Sequence, residues 1–265
     1  MPLFYRVDGQ RSNPTLVFLH GFLGNSDDWN ETITQLKERF YCICIDLPGH
    51  GHSIATNAPI ENGFAHCHRL IKKCLQELQV TTFTLVGYSL GGRIALDYAR
   101  TQKDANLQRL ILESSHIGLH SEAEKKVRYQ HDKSWAKRFA TQHIEQSLYE
   151  WYEQSLFDNL SPQQKDDIIN KRSQNYGVCL AGMLLSTSLA KQDHSWDYLQ
   201  NNSQTTSPLP IDYCVGSEDK KFIALAKQLT SFNCVNIIEF NGVGHNIHQQ
   251  QPRQYAQFII DNIHK

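Results

Sequence analysis

A chain of 265 residues with Lys+Arg 26 against Asp+Glu 27 carries a formal net charge of -1. That balance excludes a basic field for nucleic acid, and the length suits one sizeable α/β core with room for an inserted subdomain. The longest apolar stretches are strand-length and the N-terminal residues Met1-Pro2-Leu3-Phe4-Tyr5-Arg6 lack a signal h-region, so neither a membrane span nor a secretory leader is expected and the cytoplasm is the expected compartment.

Strand-like apolar runs fall at residues 15–19, 41–45, 83–86, 107–112, 211–215 and 235–240, with helical patterns at 28–37, 65–78, 90–100, 221–229 and 252–263. Strands alternating with amphipathic helices predict a mostly parallel sheet covered on both faces. The first run opens into His20-Gly21-Phe22-Leu23-Gly24. The second holds Cys42 and Cys44, two apart and therefore on one face, which reads as small core residues. It leads into Asp46-Leu47-Pro48-Gly49-His50-Gly51-His52-Ser53, whose glycines and proline read as turn chemistry without a catalytic role. The next helix carries His66-Cys67-His68 and Cys74, but Cys67 and Cys74 stand two turns apart, roughly 10 Å, too far for one ion. No metal site is predicted. Seven cysteines, an odd number, fit a reducing compartment better than a disulfide framework.

The run at 83–86 leads straight into Gly87-Tyr88-Ser89-Leu90-Gly91, a G-x-S-x-G motif, and a helical stretch follows. Strand, sharp turn and helix around a serine is the context of a nucleophile elbow, with glycines where Cβ atoms have no room. Between residues 118 and 202 the alternation breaks into charged and aromatic helical patterns without a convincing strand. This stretch is expected to be a helical cap over the sheet's carboxyl edge, with residues 1–117 and 203–265 as the core. A polar linker, Asn201 to Pro208, leads back.

A serine hydroxyl needs a histidine in reach, and the histidine an orienting carboxylate. Asp219 follows the run at 211–215 and His245 follows the run at 235–240, giving the order Ser, Asp, His at strand exits on one edge. Glu218 and His248 are the competing acid and base; strand-exit position favours Asp219 and His245. An oxyanion hole requires the amide after the nucleophile, Leu90, and one from the first strand's exit loop, here Phe22. Arg93 lies one helical turn beyond Ser89, either as a surface arginine snorkelling over its helix or as a guanidinium able to hold a substrate carboxylate bidentately. Arg128, Trp151, Tyr152 and Arg172 punctuate the insertion. Taken singly, each reads more readily as a solvated charge or a packing aromatic.

The segments Val17 to Gly24, Asp46 to Gly51 and Val86 to Arg93 look like an α/β-hydrolase core. More selective are Trp151-Tyr152-Glu153-Gln154-Ser155-Leu156-Phe157, Arg172-Ser173 with Gly177 and Ala181-Gly182-Met183-Leu184, Ser186 to Ala190, Gly216 to Phe222 and Gly244-His245-Asn246-Ile247-His248. Together these resemble the 2-succinyl-6-hydroxy-2,4-cyclohexadiene-1-carboxylate synthases of menaquinone biosynthesis, often called MenH. The resemblance runs from about Thr15 onward, apart from residues 53–66 and the polar linker. It implies an α/β-hydrolase fold with Ser89, Asp219 and His245 as triad, and Tyr88, Arg93, Arg128, Trp151, Tyr152 and Arg172 around a small tricarboxylate substrate. It also implies pyruvate elimination without metal or organic cofactor, and neither nucleic acid, membrane nor an obligate protein partner. Two other readings stay open on so versatile a scaffold: a carboxylesterase or C–C bond hydrolase, and a catalytically silent ligand receptor.

Overall fold

The computed structural model describes residues 2–56, 59 and 61–263, so the outer ends of the predicted core ranges and part of residues 53–66 lie outside the described residues. Seven strands form one sheet among them, ordered β1-β3-β2-β4-β5-β6-β7. They are β1 (Tyr5–Asp8), β2 (Thr15–Leu19), β3 (Tyr41–Ile45), β4 (Phe83–Tyr88), β5 (Leu107–Glu113), β6 (Ile211–Gly216) and β7 (Val235–Phe240). All neighbours run parallel except β1, which pairs antiparallel with β3 at the edge. Sequence patterning passed over β1 because its four residues, three half-buried and Val7 exposed, include Arg6 and Asp8 and make no apolar run.

The helices in chain order are α1 (Asn30–Leu36), α2 (Gly63–Glu77), α3 (Leu90–Gln102), α4 (Glu122–Thr141), α5 (Ile144–Tyr152), α6 (Pro162–Arg172), α7 (Gly177–Ser186), α8 (Trp196–Ser203), α9 (Lys220–Leu229), α10 (Ile247–Gln250) and α11 (Pro252–Asn262). Because successive strand residues point to opposite faces, Val17 and Leu19 pack with α2, α3 and α9, whereas Leu16 and Phe18 pack with α1 and α11. Cys42 and Cys44 share the second of these layers, as their two-residue spacing predicts. Cys67 and Cys74 lie buried in the first, where burial pushes the Cys67 thiol up to about 12.

Helices α4 to α7 form a third apolar cluster, built on Trp135, Phe139, Leu148 and Leu180 and joined by Leu23 from the β2 exit loop. This is the material inserted between β5 and β6. Helix α8 differs from the cap expectation: Leu199 belongs to the core layer, and Trp196 meets Phe232 edge-on at 4.7 Å. The chain has returned to the sheet with α8, which takes in Asn201–Ser203 of the expected polar linker, because this helix carries an apolar face that the core covers. Among the described residues no helix is long and apolar enough to cross a membrane.

Candidate active site

Parallel register brings the carboxyl ends of the strands together: Leu19 pairs with Gly87, Tyr88 with Glu113, and Gly216 with Phe240. Ser89 follows β4 at φ 49 and ψ -105, a conformation non-glycine residues avoid at a cost of roughly 1–3 kcal/mol. The strain is held by close neighbours. A Cβ on Gly87 would stand 2.6 Å from the Gly91 backbone, and one on Gly91 would strike the Leu19 carbonyl. The Ser89 amide donates to the Glu113 carbonyl at 2.9 Å, and its own carbonyl accepts from Arg93 at 3.0 Å to start α3.

Asp219 caps α9, where its carboxylate accepts from the Phe222 amide at 3.3 Å. The same carboxylate lies 2.6 Å from His245 Nδ1, and His245 Nε2 lies 3.2 Å from Ser89 Oγ. A proton on Nδ1 donated to Asp219 leaves Nε2 to accept the serine hydroxyl. Glu218 and His248 do not join this relay. His248 is buried, its Nδ1 2.9 Å from Glu113 and its ring stacked on Trp29 at 3.9 Å.

Glu113 was not among the sequence candidates, which ended that strand one residue earlier. Its carboxylate accepts from the amides of Ile247 (2.7 Å) and His248 (3.2 Å), while its carbonyl holds the serine elbow. A charged residue directly after the apolar run Leu110-Ile111-Leu112 of a parallel strand was the available signal. The Asp46–Ser53 loop also does more than turn. His50 Nε2 accepts from the Leu23 amide at 3.2 Å, beside Phe22, and its Nδ1 donates to the Pro48 carbonyl at 3.0 Å. Burial first, then His20, drive the His50 pKa to about 3, so the ring braces the Phe22 loop as a neutral imidazole.

Two cavities open from Ser89. Ser89, Phe22, Leu90, Arg93, Arg128 and His245 line the first, of about 1160 Å³. Leu90 is the first residue of α3, where amides have no intrahelical partner, and Phe22 faces the same space. Arg93 is buried over Phe64 and donates to the Thr187 carbonyl at 2.9 Å. Burial, with Arg128 adding, pushes its pKa down to about 9. Arg128 pairs with the buried Asp132 at 2.8 Å, and Ser188 donates to that carboxylate at 2.7 Å. Trp151 forms a wall common to both cavities, against Phe22 at 5.1 Å and Trp135 at 4.9 Å.

The second cavity, of about 980 Å³, takes Tyr88, Tyr152 and Arg172. The sequence candidates are thus divided between two sides of the serine. Tyr88 is buried against Gly21 and tilts on His245 at 5.4 Å; burial, followed by Glu113, raises its phenol pKa well above the ordinary value. Arg172 pairs with Asp28 at 2.7 Å, both side chains nearly buried. Burial disfavours its charge, but Asp28 and Tyr152 more than offset this and its pKa is raised. Asp28 escaped the sequence reading, since nothing in Ser26-Asp27-Asp28-Trp29 announces a partner 144 positions away.

The α/β-hydrolase fold family matches residues 14–252. The chain is 36% identical over 251 residues, 95% of its length and 88% of the relative's, to the 2-succinyl-6-hydroxy-2,4-cyclohexadiene-1-carboxylate synthase of Yersinia pestis bv. Antiqua (strain Nepal516). The synthase of Yersinia pseudotuberculosis serotype O:3 (strain YPIII) matches equally, at 36% identity over 95% of this chain and 88% of that one. Among solved structures, MenH from S. aureus superposes with a TM-score of 0.87 at 26% identity, covering 97% of this chain and 96% of that one. A malate-bound thermophilic esterase from Thermogutta terrifontis superposes at 0.77 with 21% identity, over 98% and 92% of the two chains, a likeness of fold alone. Within the α/β-hydrolase fold, the chain belongs to the 2-succinyl-6-hydroxy-2,4-cyclohexadiene-1-carboxylate synthase family.

Proposed function

We propose that the protein eliminates pyruvate from 2-succinyl-5-enolpyruvyl-6-hydroxy-3-cyclohexene-1-carboxylate to give 2-succinyl-6-hydroxy-2,4-cyclohexadiene-1-carboxylate in menaquinone biosynthesis. Support beyond kinship comes from one juxtaposition: the Ser89–His245–Asp219 relay opens onto a cavity walled by Arg93 and Arg128. A simple ester needs no such cations, whereas a substrate with three carboxylates does. The seven free thiols support action in the cytoplasm.

Ser89, made basic by His245 under the orientation of Asp219, removes the ring proton α to the succinyl carbonyl. The freed electron pair forms the new ring double bond, the existing one shifts, and the carbon–oxygen bond to the enolpyruvyl group breaks. Negative charge building on the succinyl oxygen meets the amides of Phe22 and Leu90. The proton passes through His245 to the departing enolate, which becomes pyruvate. Arg93 and Arg128 hold carboxylates on one side of the serine. Tyr88, Tyr152 and Arg172 form the facing wall, and Trp151 spans both.

Pyruvate release from this substrate tests the proposal. Ser89→Ala is expected to lower turnover by about three to six orders of magnitude while substrate still binds. Near-normal turnover in that variant would remove the serine from the chemistry. Fast cleavage of aryl esters without pyruvate release would replace elimination by hydrolysis.

A further inference from the structure

Lys221 stands in the first turn of α9, two residues beyond Asp219, and lines the first cavity with Arg93, Arg128 and His116. Lys220 lines it too, and the four long cations there are balanced unequally. Arg128 has Asp132 at 2.8 Å, and Arg93 meets a backbone carbonyl. Among the described residues, no carboxylate lies within ion-pair distance of Lys221, whose Nζ stands 5.5 Å from the Phe222 ring centroid.

Lys221 is exposed as a residue, yet desolvation first and then Arg128 lower its pKa, with Asp219 opposing. Burial followed by Lys221, Arg93 and Arg128 takes His116 to about 3. Over the whole lining, Arg93, Arg128, Lys220 and Lys221 are matched in number by Glu124, Asp158, Glu218 and Asp219. Lys221 nevertheless feels Arg128 and Arg93 and ion-pairs with none of these carboxylates, so an anion placed among the three cations relieves a local repulsion. Arg172 offers no equivalent, since Asp28 already meets its charge.

We propose that Lys221 is a further substrate-binding residue, whose ammonium holds a carboxylate of the tricarboxylate in the cavity it shares with Arg93 and Arg128. This rests on the pyruvate-eliminating reading. A lysine is a compact charge on a flexible stem, so it follows a carboxylate on a mobile chain where a rigid guanidinium fork fixes one orientation.

Steady-state kinetics of pyruvate release decide it. Lys221→Ala is expected to raise KM about tenfold or more with kcat within about threefold, Lys221→Glu to raise KM further, and Lys221→Arg to restore most of the affinity. Lys227→Ala, on the outer side of the same helix, is expected to match the unaltered protein. A KM within about twofold of the unaltered value in Lys221→Ala overturns the proposal. So does a fall in kcat at constant KM, which would make Lys221 a partner of Asp219 instead. Equilibrium binding of the same substrate, read by tryptophan fluorescence in Ser89→Ala with and without Lys221→Ala, separates the two proposals. Weaker binding in the double variant keeps Lys221 in place even if the unaltered protein releases no pyruvate; equal binding removes it, and no binding by either removes both.

Discussion

Two cavities meet at Ser89, and each holds its one buried arginine differently, while the half-buried Arg128 of the first is paired with Asp132. In the first, Arg93 is buried against a backbone carbonyl and a phenylalanine ring, and Lys221 has no carboxylate within ion-pair distance among the described residues. In the second, Arg172 is matched by Asp28 within 2.7 Å. The pKa values follow, with Arg93 pushed down and Arg172 raised. A compensated buried arginine belongs to the wall before any ligand arrives, whereas an uncompensated one waits for charge from outside. The lesson is that a guanidinium near a nucleophile is read by what already answers it.

The largest effect that tests this contrast is on folding. Arg172→Ala strands Asp28 in a nearly buried place and is expected to cost about 3–5 kcal/mol in urea unfolding, along with weaker substrate binding across the altered wall. Unchanged stability would return Arg172 to the same class as Arg93. Next comes Arg93→Ala, expected to lower kcat/KM by about 10- to 100-fold, the scale of a charge-assisted hydrogen bond lost from a buried site. Should Arg93→Ala unfold as readily as Arg172→Ala and bind substrate normally, the two cavities would exchange roles.

The smallest effect concerns pH. A lysine holds a carboxylate only while protonated, so its contribution to affinity is complete below its pKa and lost as pH rises through it. Because desolvation and Arg128 lower the Lys221 value, with Arg93 adding and Asp219 and Asp132 opposing, KM is expected to begin rising short of the ordinary lysine value of about 10.4. Lys221→Arg, which keeps its charge, is expected to flatten that rise. A profile identical in both proteins would detach Lys221 from substrate.

The parallel sheet and the elbow were legible because their signals are local: unbroken apolar runs, and glycines where a turn leaves no room. Asp219 and His245 were legible from strand exits alone. What escaped has its cause elsewhere in the chain. Asp28 takes its meaning from Arg172, Glu113 from the turn at Ile247 and His248, and His50 from the amide of Leu23. Helix α8 reads as cap because it lies in the stretch where strand alternation breaks, and only packing on Phe232 and the core layer assigns it to the sheet. The division of the arginines between two cavities follows from how α4 and α6 cross the edge, which residue spacing does not encode.

Glu113 carries a consequence for the order in which the protein is made. The serine elbow and the histidine turn, 156 positions apart, are both fastened to this one residue, by its carbonyl and its carboxylate. During synthesis the elbow leaves the ribosome long before residues 245–248 exist. In the proposed mechanism Ser89 therefore cannot act as a base on the nascent chain, because His245 has not yet been made. The proposed relay is complete only with the turn that follows the last strand, where one glutamate fastens the two halves of the site together.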